Sequence, residues 1–334
     1  MNIDWNNLGF QYMPVKSNIR YTWKDGKWSE GKLYDHDNIT MSLAATCLHY
    51  GQAAFEGIKA FAGKDGKIKV FRPEMNARRL NRTSNYILGP EIPEEMFLDA
   101  IKKVVADNKE FVPPYGTGGS LYIRPLLIGT GAQIGVAPSN QYEFIIMVMP
   151  VGEYYKGGIQ PVDALIIDDY DRAAPKGTGS YKVAGNYAAS LTPAKKAKEK
   201  GFPIALYLDA KSREYIEEFG TSNFFGITKD GVYVTPESPS ILESVTNLSL
   251  QQIARDLGLK VEKRPVHKSE LENFTEIGAC GTAVVLTPIS SITYGDKVYN
   301  YGSECGEVSR KLYERMTSIQ YGEAEDTHDW LFEI

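Results

Sequence analysis

The sequence has no run of apolar residues near the roughly 20 that a membrane-spanning helix needs, so a membrane protein is not expected. It holds only 3 cysteines, Cys47, Cys280 and Cys305, far apart and in no Cys-x-x-Cys pair. A disulfide framework is therefore not expected, and a reducing, cytoplasmic compartment fits. The 4 histidines, His36, His49, His267 and His328, lie at no metal-ligand spacing, so no catalytic metal is expected. Positive charge is not in excess: the formal net charge is -5, which argues against nucleic-acid binding. The stretch from Met1 to Phe10 lacks a basic head followed by an apolar core, so a secretory signal is not expected. No internal repeat or low-complexity tract is visible.

What is present reads as an ordinary globular chain, 43% hydrophobic and 24% charged. Its 334 residues suit two domains. Pro73 opens a predicted helix over 73–87, and Phe97, Ala100, Ile101, Val104 and Val105 mark an amphipathic helix over 94–109. Strands are predicted at Leu121–Arg124, Tyr142–Met149, Ala164–Ile167, Ile204–Asp209, Phe224–Thr228 and Val232–Thr235. The run from Tyr142 is apolar enough for a buried strand ending at Pro150. Helices are predicted at 245–257 and 306–320, stopped by Gly258 and Gly322. The Gly- and Tyr-rich stretch at 151–160 divides a small N-terminal α/β domain (1–150) from a larger C-terminal one (161–334), with the active site expected between them.

Five elements are candidates for chemistry. Lys182, in Ser180-Tyr-Lys-Val-Ala-Gly-Asn-Tyr187, has small or apolar neighbours that could bury its stem. Burial lowers a lysine pKa, and a neutral amine can form a Schiff base with an aldehyde; on local sequence alone, a solvated surface lysine is the commoner outcome. Ile216-Glu-Glu-Phe-Gly-Thr-Ser-Asn223 places two carboxylates side by side. In a strand they point to opposite faces, so at most one is expected to face a site. A carboxylate facing a pyridine nitrogen keeps it protonated and makes the ring a better electron sink. Leu242-Glu-Ser-Val-Thr-Asn247 opens a helix whose first amides could bind an anion, or be an ordinary end capped by Ser244. Gly281-Thr-Ala283 is a small-residue turn, and Arg79, in the doublet Arg78-Arg79, defaults to a solvated helix face. Gly177-Thr-Gly179 lacks the Lys-Ser/Thr of a phosphate loop and is given no phosphate role.

Together these segments resemble the branched-chain amino-acid aminotransferases of the fold-type IV pyridoxal-phosphate enzymes, nearly end to end. The resemblance rests on Leu48-His-Tyr-Gly-Gln-Ala-Ala-Phe-Glu-Gly57, Val70-Phe-Arg-Pro73, Tyr122-Ile-Arg-Pro125, Lys182-Val-Ala-Gly-Asn-Tyr187, Glu218-Phe-Gly-Thr-Ser-Asn223 and Gly281-Thr-Ala283. It implies an α/β (α+β), two-domain fold and a dimer. It implies that Lys182 holds pyridoxal 5'-phosphate and then serves as base and acid. Glu218 would face the pyridine nitrogen and Tyr187 the 3'-oxygen. Arg79, the Val245 and Thr246 amides and Thr282 would take the phosphate. Turns at Thr221 and Ala283 would hold the substrate α-carboxylate. Tyr50, Phe55, Tyr122 and Tyr154 would line the side-chain pocket, and Arg124 would meet the distal carboxylate of glutamate. The implied partners are small amino and 2-oxo acids.

Two departures from the family pattern stand out. Ala184 replaces the first of two glycines usual before the asparagine, and Val284 and Thr287 stand where some members carry a redox Cys-x-x-Cys. Within the fold, the alternatives are a D-amino-acid aminotransferase, whose Arg-x-His pattern is replaced here by Arg124-Pro-Leu126, and the shorter aminodeoxychorismate lyase. A catalytically dead binding module is opposed by the joint presence of Lys182, Glu218, Tyr187 and Arg79.

Overall fold

The computed structural model describes residues 3–153 and 158–334; Tyr154, expected in the substrate pocket, and part of the expected connection at 151–160 lie outside them. The chain divides into two compact units, Met1–Tyr154 with Tyr181–Gly185 and Ile319–Ile334, and Tyr155–Ser180 with Asn186–Ser318. The lysine segment, assigned by linear order to the C-terminal domain, is grouped by contact with the first unit.

The first unit is built on a nine-stranded sheet ordered Leu331–Glu333, Ile68–Phe71, Ile58–Ala62, Ser120–Gly129, Gln141–Val151, Asn18–Lys24, Lys27–Trp28, with Lys32–Tyr34 and Ala53–Phe55 as side pairings. The helix Glu94–Asp107 packs on it through Phe97, Ala100, Ile101, Val104 and Val105, the spacing of one helical face, and Glu94 and Glu95 in its first turn suit the positive end of the helix. The strand at 120–129 runs well past the predicted Arg124 because Leu126 to Ile128 pair with Ala53–Phe55. The strand at 141–151 passes through Pro150 instead of stopping there. Beyond Ile146 its second neighbour, Asn18–Lys24, has ended, so a missing N–H is tolerated.

Pro125 shapes the site more directly. It sits where Ala53–Phe55 gives way to Ile58–Ala62, two short strands that pair with the same long strand on either side of it. The interrupting residues Glu56 and Gly57 leave the ladder, and the Glu56 N–H donates to the Pro125 carbonyl (2.9 Å). Gly57 admits no side chain, since a Cβ there would lie 2.3 Å from the Tyr122 hydroxyl.

The second unit holds a ten-stranded sheet. Six of its strands, Asn223–Thr228, Phe274–Gly281, Val285–Tyr294, Val162–Ile167, Ile204–Leu208 and Tyr215–Phe219, close into a ring through the pairing of Glu218 with Asn223. Leu206, Phe219, Phe224, Ile277 and Ile292 are among its buried core. Strand Tyr215–Phe219 carries a bulge: Leu206 pairs with Phe219 and Leu208 with Ile216, so Glu217 and Glu218 together oppose Tyr207. The simple alternation expected of these two carboxylates therefore fails, and both are buried.

Candidate active site

In the first unit, Lys182 is pinned through its backbone. Its N–H donates to Thr83 Oγ1 (3.0 Å), its carbonyl accepts from the Phe55 N–H (3.2 Å), and Val183 bridges to Ala54. The Tyr181 ring stacks on Tyr86 at 3.9 Å. The Lys182 amine lies 4.9 Å from the Phe55 ring centre. Its pKa is pulled down to about 8, first by desolvation and then by the charge of Arg79, against the opposing pull of Glu56. The lysine is thus no solvated surface residue, and its neutral form is within reach near neutral pH.

Beside it lies a carboxylate that no sequence argument singled out. Glu56 is fully buried and accepts from Arg79 Nε (2.7 Å) and Nη2 (2.6 Å), from Asn76 Nδ2 (2.7 Å) and from the Gly57 N–H (3.3 Å). Burial alone would raise its pKa; the charge and hydrogen bonds of Arg79, with Lys182 and Asn76, outweigh that and hold it below the usual carboxylate range. The Arg78-Arg79 doublet therefore splits. Arg79 is buried against Glu56, while Arg78 is exposed and pairs with Glu94 at 3.0 Å. A lone acid inside the otherwise uncharged run Gly51-Gln-Ala-Ala-Phe-Glu-Gly57 was the available signal for Glu56.

Arg124 joins the same group. Its guanidinium carbon lies 4.8 Å from the Phe55 ring centre and 5.2 Å from that of Tyr122, and its Nη2 donates to the Tyr122 hydroxyl (2.9 Å). Its Nε is buried without a hydrogen-bond partner among the described residues. Phe55, Tyr122, Arg124, Arg79 and Lys182 are thus brought together. Tyr50 is set apart within this unit: it is exposed, at the end of the short helix Thr46–Tyr50, and its hydroxyl donates to the Ile134 carbonyl.

In the second unit, one end of the sheet gathers the other residues. Asn223 pairs with Cys280, so the turns carrying Thr221 and Gly281-Thr-Ala283 lie side by side, with the Thr221 carbonyl 3.8 Å from where a Gly281 Cβ would stand. After Gly281-Thr-Ala283 the chain passes through Val285 at φ 63, a left-handed conformation that a β-branched residue seldom adopts. Glu218 accepts from the Leu242 N–H (3.0 Å) on Oε1 and from Asn223 Nδ2 (2.8 Å) on Oε2, and Arg172 Nη2 lies 2.9 Å from Oε1. Desolvation raises its pKa, opposed chiefly by Arg172. Glu217 instead accepts from the Ser238 hydroxyl (3.0 Å), and its Oε2 has no partner among the described residues. Just after Leu242 the helix Val245–Asp256 begins, capped by Ser244, which accepts from the Asn247 N–H (3.2 Å). Val245 and Thr246 are in its first turn, where amides lack a partner within the helix. Tyr187 is partly buried in the helix Ala184–Ala189, near Asn186, which bonds Thr178.

Residues 53–292 match the family described as amino-transferase class IV. Branched-chain-amino-acid aminotransferase of Haemophilus influenzae is 47% identical over 341 residues, covering 100% of this chain and 99% of that protein. Branched-chain-amino-acid aminotransferase 5, chloroplastic, of Arabidopsis thaliana is 43% identical over 337 residues, covering 99% of this chain and 80% of that one. Among solved structures, a T.th. branched-chain amino acid aminotransferase with pyridoxamine 5'-phosphate superposes with a TM-score of 0.80 at 28% identity, over 95% of this chain and 99% of its own. The Escherichia coli branched-chain amino acid aminotransferase gives a TM-score of 0.77 at 25% identity, over 95% and 99%. With relatives this similar over its whole length and the class IV family model matched over residues 53–292, the chain belongs to the branched-chain-amino-acid aminotransferases of the class IV aminotransferase family.

Proposed function

We propose that this protein reversibly transfers the amino group of L-leucine, L-isoleucine or L-valine to 2-oxoglutarate, using pyridoxal 5'-phosphate and yielding the branched 2-oxo acid and L-glutamate. The observation that carries this reading is Lys182, an amine with its pKa brought to about 8 and its backbone held on both sides. Bound through its aldehyde, the cofactor supplies an electron sink for the substrate α-carbon. The residues present fit such a group: a neutralisable buried amine, a buried guanidinium, and a buried carboxylate with an oxygen that takes a single donor.

Lys182 holds the cofactor and then moves a proton as base and acid. Arg79, Thr282 and the Val245 and Thr246 amides bind phosphate, a role that Glu56 serves by fixing the guanidinium. Glu218 keeps the ring nitrogen protonated, and Tyr187 meets the 3'-oxygen. The turn amides at Thr221 and Ala283 take the α-carboxylate. Phe55 and Tyr122 surround the substrate side chain, Tyr50 reaches the site of the other subunit in a dimer, and Arg124 meets the second carboxylate of glutamate. The working protein is a cytoplasmic homodimer. Leu43, Leu48, Ile134 and Val136 are exposed, Leu43 at 89% and Val136 at 85%. The bridge of Ala45 to Ala132 and the bond from Gln133 N–H to the Ala44 carbonyl (2.9 Å) draw their segments together, and an apolar patch of this kind marks an interface. Sedimentation of a monomer at micromolar concentration would refute the dimer.

Borohydride reduction of the holoenzyme followed by peptide mapping tests the central assignment. The label is expected on Lys182, and Lys182→Ala should abolish both label and turnover; a label on another lysine overturns it. Capture of added cofactor by the apoprotein should accelerate as pH rises through about 8, because only the neutral amine attacks, and level off above it. Acceleration continuing to the ordinary lysine range would contradict the lowered pKa.

A further inference from the structure

Arg172 has no part in the roles above, yet its position is specific. Its side chain is buried, as is that of Glu218, and its Nη2 lies 2.9 Å from Glu218 Oε1. The same nitrogen donates to the carbonyls of Gly179 (3.1 Å) and Ser240. Gly179 is required for this close approach: a Cβ there would lie 2.2 Å from the Ser240 carbonyl and 2.8 Å from Arg172 Nη2. Gly179 thus has a structural use, in letting a guanidinium approach the backbone. Two carbonyls orient the arginine, and the charge it presents meets one oxygen of one carboxylate.

The two oxygens of Glu218 are not equivalent. Oε1 faces Arg172 and accepts from the Leu242 amide; among the described residues Oε2 accepts from Asn223 alone, which leaves a lone pair for one further donor. We propose that Arg172 is a positioning residue for the transamination: it occupies Oε1, holds Glu218 as an anion, and so reserves an ionised Oε2 for the ring nitrogen of the cofactor. This rests on the assignment of Glu218 made above. The carboxylate needs such help because its other titratable neighbours give none. Glu217 adjoins it in the bulge and adds repulsion, and the buried Cys280 thiol, itself pushed far up by burial and by Glu218, stays neutral. The Tyr207 hydroxyl, near Arg172, is pushed up by burial to about 12 and is likewise neutral. Without Arg172, burial would push Glu218 further toward the neutral acid, which cannot hold a ring nitrogen as its cation.

The test is Arg172→Gln, which keeps hydrogen-bonding capacity toward the Gly179 and Ser240 carbonyls and removes the charge, with Arg172→Lys as the conservative variant. Three quantities are measured: on the holoenzymes, the pH profile of the single-turnover reaction with leucine and the pH midpoint of the cofactor's visible absorption change; on the apoproteins, the thermal midpoint. In Arg172→Gln the acid limb of the profile and the spectral midpoint are expected to move to higher pH by about 1–3 units, the effect of one close opposite charge. Arg172→Lys should recover most of this. In a Glu218→Gln background, Arg172→Gln should move neither. A lowered thermal midpoint with an unmoved pH profile and spectrum would mean that Arg172 is only structural and would overturn the proposal. Should Arg172→Gln not fold, Arg172→Lys decides alone: its charge stands differently from the carboxylate, so a smaller upward displacement supports the proposal and none overturns it. Failure of the underlying assignment looks different: Glu218→Gln would then leave the rate and spectrum of the otherwise unchanged enzyme intact.

Discussion

The protein buries two arginine–carboxylate pairs, and they are built for different ends. In the first unit, Glu56 accepts four hydrogen-bond contacts, two of them from the parallel fork of Arg79. Its lone pairs are largely consumed, and its charge is spent on fixing one guanidinium. In the second unit, Arg172 meets a single oxygen of Glu218, and among the described residues the other takes only Asn223. The net balance differs as well. Lys182 stands beside the first pair as a second cation, whereas Glu217 stands beside the second as a further acid. One pair therefore suits an anion held by its arginine, and the other suits a cationic nitrogen held by its carboxylate. Similar ion pairs acquire opposite uses from the partners around them.

The sharpest way to break this contrast is at Glu218. Glu218→Gln should lower turnover by several orders of magnitude, because the amide cannot stabilise a protonated ring nitrogen. Glu217→Gln, one residue away and equally buried, should be mild, since Glu217 bonds Ser238 and is already pushed toward its neutral form by burial. Steady-state rates of the two variants check this, and equal losses would refute the distinction. Glu56→Gln should act on the fold of its unit: breaking a buried pair costs about 3–5 kcal/mol, read as a lowered denaturation midpoint of the apoprotein together with weaker cofactor binding. An unchanged midpoint would mean that Arg79 needs no counter-ion. Arg124 completes the comparison, as an arginine seated against aromatic rings and a hydroxyl. Arg124→Met should cost about 2–5 kcal/mol in the half-reaction with glutamate or 2-oxoglutarate, roughly 30- to several-thousand-fold, and far less with leucine. Parallel losses in both half-reactions, measured by single-turnover absorbance, would make Arg124 structural.

Much of this was legible in the sequence where local patterning governs. The helices found at Pro73–Tyr86, Glu94–Asp107, Val245–Asp256 and Glu307–Gln320 follow apolar spacing and end signals close to the predicted bounds. Ser244 caps its helix as its position suggests. The strands Ile58–Ala62, Ile68–Phe71, Phe274–Gly281 and Val285–Tyr294 carried too short or too broken an apolar pattern to be read; they pair with one another as two hairpins and are held in addition by the strands at 120–129, 223–228 and 162–167. Glu56 and Arg172 were missed for a related reason. A lone acid in an uncharged run is a weak local sign of burial and an arginine in a polar run is none; only the residue that each meets, 23 positions away for the Arg79–Glu56 bond, reveals it.

By itself the sequence determined which residue types were available for chemistry: one lysine set among small neighbours, paired carboxylates, two turns of small residues, and few thiols or imidazoles. It also determined the helices, whose spacing of 3.6 residues per turn is a property of the chain alone. The tertiary structure decided which of these residues act together. A proline at a strand junction turns Glu56 out of the ladder, and a bulge opposite Tyr207 carries both Glu217 and Glu218 into the interior against the alternation of an ideal strand. Both outcomes depend on long-range pairing. Side-chain direction in a sheet is set by register and its interruptions, and register is fixed only when the partner strands arrive.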